Sequence, residues 1–194
     1  MKKNLILYGP IRCGKSTMIQ EALGTGVLRA GGYVTLRSFY KNCLIGFDLA
    51  PAPVLFSRQD LHRTETFLEF GEPVVRHPEV FSGFGTELLK EAMTQDFAVI
   101  DEFGGMELLI TPFRQELHKL LKSSVPCIGV FKTPQASQTL TAHLNMDYAY
   151  TAAYEEMLRF LQNDPNTQIL STSGWKDMNA RKEINDWAGQ YVRK

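Results

Sequence analysis

A short apolar run, a loop bounded by glycines and an amphipathic stretch follow one another near the N-terminus, and this succession restricts the fold more than any other feature of the chain. Leu5 to Tyr8 are typical of a buried parallel strand. After the loop from Gly9 to Gly14, a stretch that ends at Gly24 places its apolar residues on one helical face: Met18, Ile19, Ala22 and Leu23. Strand, loop and helix in this order predict the first unit of an α/β fold.

The loop itself matches G-x-x-x-x-G-K-[ST] at every fixed position. Its two glycines allow the tight turn in which successive backbone N–H groups face phosphate oxygens, and the following helix adds its dipole. Lys15 would bring positive charge to the β- and γ-phosphates, and the Ser16 hydroxyl is a hard oxygen suited to Mg²⁺. An ordinary glycine-rich turn is the alternative. We favour a binding site for a nucleoside triphosphate, ATP, GTP or another, formed by Gly9, Pro10, Ile11, Arg12, Cys13, Gly14, Lys15, Ser16 and Thr17.

Two residues inside the loop have roles that the sequence leaves open. Arg12 could reach a phosphate as a second cation, or point into solvent as most charged side chains do. Cys13 lies next to a predicted helix N-terminus, where a thiol can become reactive, or it is a small packing residue. We favour the solvent-exposed arginine and the packing cysteine.

A second apolar run, from Phe97 to Ile100, ends in two adjacent acids, Asp101 and Glu102. The carboxyl ends of buried strands are where α/β sheets bind ligands. We expect Ser16 and Asp101 to be the metal ligands, and Lys15 and Glu102 to be catalytic, with Glu102 polarising the attacking water as a general base. A solvated strand end is the alternative; the loop upstream favours the functional interpretation, because loop and acids are complementary parts of one Mg²⁺–phosphate site. Downstream, Glu107 is a second candidate acid or a structural charge, and we favour the structural role.

The rest of the chain alternates strand and helix character, with two departures. With 194 residues and 44% hydrophobic content, the chain is predicted to form a single domain over residues 1–194, with a mainly parallel sheet and helices on both faces. Two extended runs on either side of a Tyr-Lys-Asn turn predict a β-hairpin excursion over residues 31–53. Residues 55–85 show no clear period and are predicted to be irregular.

Charge and composition limit the partners. The 21 Lys and Arg residues equal the 21 Asp and Glu residues, so the chain lacks the basic surplus that nucleic-acid binding favours. No apolar run is long enough to span a membrane. The three cysteines form no CxxC pair, and the four histidines, His62, His77, His118 and His143, show no metal-ligand spacing. We therefore expect a cytoplasmic protein with a small anionic partner; an unknown protein partner stays open.

Three segments in order resemble the THEP1-type nucleoside-triphosphatase family: residues 9–17, residues 32–37 followed by 45–49, and residues 99–108. The third, Val-Ile-Asp-Glu-Phe-Gly-Gly-Met-Glu-Leu, is similar to that family's Ile-Asp-Glu-Ile-Gly-x-Met-Glu-Leu signature. The resemblance implies a Rossmann-like P-loop NTPase fold and Mg²⁺-dependent hydrolysis of several nucleoside triphosphates to diphosphates with loose base selectivity. It also implies phosphate and metal contacts for Lys15 and Ser16, Mg²⁺ binding by Asp101 and catalysis by Glu102. Arg37 is implied as a contact near the phosphates, with a surface salt bridge as the alternative.

The chain departs from the family pattern in three places. The interior of the phosphate loop carries Ile-Arg-Cys instead of small residues. Lys132 stands where the family often has arginine, and it lacks the planar fork of a guanidinium. The family's closing Val-Thr-x-x-Asn-Arg is replaced over residues 171–175, which leaves base recognition open. Trp175 could stack on a base, but we favour core packing for it.

Two other functions remain open from the sequence. A nucleotide or small-molecule kinase would share the phosphate loop, but it usually carries an arginine-rich lid, and Arg58, Arg63 and Arg76 are scattered. Residues 55–85 could form an acceptor pocket for such a kinase. A nucleotide-binding switch with little turnover is the second alternative, with residues 31–53 as its docking element.

Overall fold

The structure is a computed structural model that describes residues 1–55, 63–133 and 148–192. Within these ranges eight strands form one sheet, in the order β5-β4-β3-β2-β6-β7-β1-β8. Strands β2, β6, β7, β1 and β8 are parallel, and β3, β4 and β5 extend the sheet in antiparallel fashion. The predicted mainly parallel sheet is confirmed. The strands are β1 (Asn4–Tyr8), β2 (Ala30–Tyr40), β3 (Cys43–Pro51), β4 (Glu65–Glu69), β5 (Val75–Arg76), β6 (Phe97–Phe103), β7 (Cys127–Phe131) and β8 (Thr167–Ser171).

Helices cover both faces of the sheet. They are α1 (Lys15–Leu23), α2 (Pro78–Val80), α3 (Thr86–Ala92), α4 (Thr111–Lys122), α5 (Tyr148–Asn163) and α6 (Met178–Tyr191). Short 3₁₀ turns occupy Gly24–Arg29, Ala52–Leu55 and Met106–Leu109, and a π-helical turn at Phe81–Gly85 joins α2 to α3. None of the described helices has the length and apolar character needed to cross a bilayer.

The buried side chains form two hydrophobic clusters, one on each face of the sheet. In β1, Leu5 and Leu7 belong to the cluster that contains Met18 of α1 and Trp187 of α6. Ile6, between them, belongs to the cluster formed with α3, α4 and α5. Successive strand residues point to opposite faces, so a strand covered on both sides must be apolar throughout. The continuous apolar runs of β1, β6 and β7 therefore place these strands in the centre of the sheet.

The hairpin predicted over residues 31–53 is confirmed, and its first strand also takes part in the central sheet. Its turn lies at Lys41 and Asn42, which both have positive φ, as the type I′ hairpin turn requires. The first part of β2, however, pairs in parallel with β6 and belongs to the central sheet. Gly32 permits this approach, because a Cβ there would lie 2.1 Å from the carbonyl oxygen of Val99. Gly31 permits a second close approach, since a Cβ there would lie 2.3 Å from the Cα of Ala92 in α3.

The irregular structure predicted for residues 55–85 is wrong for the part that the structure describes. Residues 63–85 contain β4, β5 and the helical turns before α3. The two strands are short, and β4 takes its register from β3, pairing Gly46 with Glu69. Short strands at a sheet edge depend on a neighbour for their hydrogen bonds, so their own sequence carries little periodic signal. Residues 56–62, with Arg58 and His62, lie outside the described residues, as does His143.

Candidate active site

The phosphate loop connects β1 to α1 and packs against the segment that follows β8. A Cβ at Gly9 would lie 2.2 Å from the carbonyl oxygen of Thr172, so only glycine fits there. Gly14 has a φ of +93°, a conformation that glycine adopts without steric cost, and it comes directly before the first residue of α1. Local geometry thus explains both fixed glycines. The loop opens onto the N-terminus of α1, where free backbone N–H groups favour anions.

Lys15 lies over the first half of the loop. Its Nζ donates hydrogen bonds to the carbonyl oxygens of Gly9, at 2.9 Å, and Pro10, at 2.5 Å. The lysine of this motif reaches the β- and γ-phosphates. The Gly9–Pro10 side of the loop is therefore where we expect a terminal phosphate to lie, and the Ser16–Thr17 side would face the inner phosphates.

Ser16 and Asp101 meet although they are far apart in the sequence. The Ser16 hydroxyl donates a hydrogen bond of 2.7 Å to Oδ1 of Asp101. Asp101 is only 6% exposed, and burial raises the pKa of its carboxyl group to about 7. The charge of the nearby Glu102 contributes to this increase, whereas the hydrogen bond from Ser16 and the charges of Lys132 and Lys15 oppose it. Burial destabilises the charged form of the carboxylate, so a nearby cation would stabilise it. The Ser16 hydroxyl and the Asp101 carboxylate are hard oxygens that could bind such a cation.

Asp101 and Glu102 lie at an irregularity in β6. The pairing of β6 with β7 shifts register between Ile100 and Phe103, and Glu102 has a φ of +57°. Adjacent residues of a regular strand point to opposite faces, but both acids line one cleft of about 410 Å³ beside the phosphate loop. A local bulge commonly re-aims side chains in this way next to active sites. We call this cavity the phosphate cleft; it is also lined by Arg12, Cys13, Gly14, Lys15, Ser16, Thr17, Thr35, Leu36, Arg37 and Phe47.

The positive φ of Glu102 is expected to lower the stability of the fold, although the side chain is needed for the predicted catalysis. Positive φ costs a residue with a side chain about 1 kcal/mol relative to glycine. We expect Glu102→Gly to raise the free energy of unfolding by about this amount, measured by urea denaturation, while it removes the carboxylate. Glu102→Gln, which keeps the Cβ, is the matched control and should show no such gain. A glycine variant less stable than the glutamine variant would contradict a strained backbone at this position.

Three further cationic side chains lie in or near the phosphate cleft and differ in solvent exposure. Arg12 and Arg37 are exposed, and both line the phosphate cleft. Lys132 is half-buried after β7, and its charge acts on Asp101. The solvent exposure favoured for Arg12 agrees with the structure. All three are near enough to the cleft to serve as additional cations, a role that stays a prediction.

Glu107 holds the chain that follows β6. Its carboxylate is buried, and Oε1 accepts hydrogen bonds of 2.6 Å from the backbone N–H groups of both Gly104 and Gly105. Tyr150 of α5 donates to the carbonyl oxygen of Gly104 at 2.7 Å. These contacts support the structural role favoured for Glu107. They fix the turn directly after the two acids.

The core position favoured for Trp175 is wrong. Its side chain is 43% exposed and stacks with the guanidinium of Arg181, 4.4 Å from the ring centroid. Its backbone N–H donates to the carbonyl oxygen of Cys13 at 2.7 Å, and its Cβ lies beside Gly14. Asp177, the N-cap of α6, holds this turn by accepting hydrogen bonds from the Thr172 hydroxyl and the Ser173 N–H. The indole is thus fixed at the rim of the phosphate loop instead of in the core.

The family of the chain follows from a comparison with protein-family models. The model described as NTPase matches residues 4–152. This chain belongs to the NTPase family. The resemblance to THEP1-type NTPases and the prediction of a nucleoside-triphosphate phosphohydrolase are thereby confirmed. A comparison with curated protein sequences finds no significant match.

Two solved structures share the fold of this NTPase. The crystal structure of THEP1 from the hyperthermophile Aquifex aeolicus aligns with a TM-score of 0.57 and 15% identity, covering 98% of this chain and 99% of that chain. The solution structure of a human cancer-related nucleoside triphosphatase aligns with a TM-score of 0.60 and 16% identity, at the same coverage. The P-loop NTPase fold is therefore shown over nearly the whole chain.

The structure of this NTPase brings most of the predicted site residues together. Eight of the named residues line the phosphate cleft: Arg12, Cys13, Gly14, Lys15, Ser16, Thr17, Asp101 and Glu102. Gly9 and Ile11 face a neighbouring cavity, and Pro10 is exposed. Among the described residues no group of three His, Cys, Asp or Glu side chains is placed to hold a metal ion. The individual roles, the single-domain organisation and the cytoplasmic location stay predictions.

Sequence reasoning missed Thr35 of β2. Its hydroxyl donates to the backbone carbonyl oxygen of Asp101 at 3.4 Å and lines the phosphate cleft. The threonine lies in the hairpin segment that resembles the family, but no local pattern shows which distant strand it will meet. The parallel pairing of β2 with β6 creates this contact.

Proposed function

We propose that this NTPase hydrolyses several nucleoside triphosphates to diphosphates and phosphate, that it requires Mg²⁺, and that it discriminates little between bases. The hydrogen bond between Ser16 and Asp101 carries the proposal. It places the hydroxyl that follows the motif lysine against a buried carboxylate, and these are the two protein ligands that phosphate-loop enzymes use for Mg²⁺.

The donor set fits this ion. Mg²⁺ prefers hard oxygens and usually takes one or two carboxylates together with substrate phosphates, so a closed cage of protein ligands is not required. Ser16 and Asp101 would hold the ion, which would neutralise negative charge on the phosphates. Burial of Asp101 strengthens the preference of this carboxylate for a cation.

The remaining residues position and activate the reactants. Backbone N–H groups of the loop and the Lys15 ammonium would hold the β- and γ-phosphates, which favours the charge distribution of the transition state. The Glu102 carboxylate faces the same cleft and would accept a proton from the attacking water. Lys132 or Arg37 would add positive charge at the terminal phosphate.

The surface at the rim of the phosphate loop supports the proposed loose base selectivity. Trp175 offers an exposed aromatic ring next to Gly14, on the α1 side of the loop, where the base of a bound nucleotide would lie. Stacking on an aromatic ring tolerates every base, because each base has a π face. Strong selection would instead need buried hydrogen-bonding groups directed at the base edge.

The test is phosphate release from ATP, GTP, CTP and UTP, each measured with Mg²⁺ and with excess EDTA. We expect release from all four nucleotides with kcat/KM values within about tenfold of one another, because a stacking contact separates bases by little. Chelation should abolish release and Mg²⁺ should restore it. Tight binding without release would contradict hydrolysis and favour a nucleotide switch; release from one nucleotide only would contradict loose selectivity.

A further inference from the structure

A second cavity adjoins the phosphate cleft on the side of the antiparallel strands. Its volume is about 300 Å³, and we call it the apolar cavity. Most of its lining comes from apolar side chains on β3, β4, β7 and the turns beside them: Leu44, Phe47, Phe67, Phe70, Met106 and Val130. The two cavities share Arg12, Lys15, Thr35, Arg37, Phe47 and Glu102, so these side chains lie at the boundary between them.

Aromatic rings form one wall of the apolar cavity. Phe47 lies 6.2 Å from Phe67 and 5.7 Å from Phe70, measured between ring centroids. Phe67 in turn packs on Phe81 at 5.0 Å, which anchors the wall in the core. Phe70 nevertheless leaves 41% of its surface exposed. A concave site with apolar walls and a few convergent charges is typical of a pocket for a small molecule.

The position of the apolar cavity identifies which end of a nucleotide it faces. Gly9 and Ile11 line this cavity, whereas Ser16 and Thr17 line the phosphate cleft alone. Lys15 lies over the Gly9 side of the loop, the side assigned above to the terminal phosphate. Trp175, where the base would lie, belongs to neither cavity. A molecule in the apolar cavity would therefore contact the terminal phosphate instead of replacing the base.

We propose that the apolar cavity binds a small aromatic alcohol and that the enzyme transfers the terminal phosphoryl group to its hydroxyl. The phenylalanine wall selects an aromatic body, and Glu102, shared by both cavities, is placed to accept a hydroxyl proton. Hydrolysis is then the reaction in which water takes the place of the alcohol. The inference rests on the proposed cleavage of the terminal phosphoanhydride and adds an acceptor to it.

The transfer balances without a further reactant. The hydroxyl oxygen forms a bond to the γ-phosphorus, and the bond from this phosphorus to the bridging oxygen breaks, with its electron pair leaving on the diphosphate. The hydroxyl proton passes to the Glu102 carboxylate. Lys15, which lies over the loop at this end, would bind the charge that develops on the departing oxygen. The products are a phosphate monoester and a nucleoside diphosphate.

The first arm of the test measures binding of 2-naphthylmethanol through its naphthalene fluorescence. We expect Phe70→Ala to weaken binding at least about fivefold, because one aromatic contact is lost. Phe39→Ala is the matched control: Phe39 is also exposed on the antiparallel strands, does not line the apolar cavity and should leave binding and hydrolysis unchanged. Added MgADP should not displace the alcohol. No binding, equal effects of both variants, or displacement by MgADP would overturn the site.

The second arm follows ATP, Mg²⁺ and 2-naphthylmethanol by phosphorus NMR. We expect a phosphate monoester signal beside that of inorganic phosphate, and Phe70→Ala should lower the ratio of ester to phosphate at least about fivefold. Phe39→Ala should keep the ratio. Inorganic phosphate alone, with the alcohol bound, would overturn the transfer. A reaction without the alcohol separates this outcome from a failure of the proposed function. If the proposed hydrolysis is absent, that reaction releases no inorganic phosphate from ATP.

Discussion

Glu102→Gln should lower kcat for nucleoside-triphosphate hydrolysis by about 10²- to 10⁴-fold, the range expected when a general base is removed. The amide keeps the size of the side chain and the positive φ of the backbone, but it cannot accept a proton from water. Nucleotide affinity should change little, because the phosphate loop and the Ser16–Asp101 pair remain. Steady-state phosphate release and a separate binding titration with a fluorescent nucleotide measure the two effects.

Glu87→Gln is the matched control for this variant. Glu87 is an exposed carboxylate on α3 that lines neither cavity, so its replacement should leave both kcat and affinity unchanged. Hydrolysis at the full rate in Glu102→Gln would remove Glu102 as the base. A parallel loss of affinity would instead assign Glu102 to binding.

Lys15→Ala should weaken nucleoside-triphosphate binding by about 10- to 100-fold, as expected for the loss of hydrogen bonds to a charged group. Its ammonium is directed over the Gly9–Pro10 side of the loop, so the loss should be larger for ATP than for AMP. Isothermal titration calorimetry of both nucleotides measures the difference. Lys90→Ala removes an exposed lysine of α3 away from both cavities and should bind like the unaltered protein. Equal losses for ATP and AMP would contradict a contact to the β- and γ-phosphates.

The phosphate loop and the acidic strand end could be predicted because each is a local pattern. A strand, two glycines, a lysine and a serine lie within consecutive residues, and their geometry follows from chain connectivity. Asp101 and Glu102 follow an apolar run, which indicates the strand end that bears them. The partnership of Ser16 with Asp101 required only the rule that carboxyl ends of parallel strands meet at one edge.

The apolar cavity could not be predicted in this way. Its walls combine side chains from β3, β4 and the turn after β6, and strand pairing over long sequence distances brings them together. Strands β4 and β5 are short and carry no strong period of their own, so residues 63–85 resembled a loop. Trp175 was misplaced for a related reason: a large apolar side chain is usually buried, and nothing local indicates that this one is held on the rim by Cys13 and Arg181.

Strand β2 runs without interruption from the central sheet into the antiparallel extension. Its length therefore fixes the distance between the two acids and the aromatic wall. Residues 30–33 pair with β6, which bears the acids, while residues 33–40 pair with β3, which bears Phe47. One residue inserted between the two halves would turn Thr35 and Arg37 to the opposite face. Each half would still be intact, but the two cavities would no longer share these side chains. Insertions at the hairpin tip near Lys41 would leave Thr35 and Arg37 on their present face. We therefore expect insertions among relatives to occur mainly at this tip.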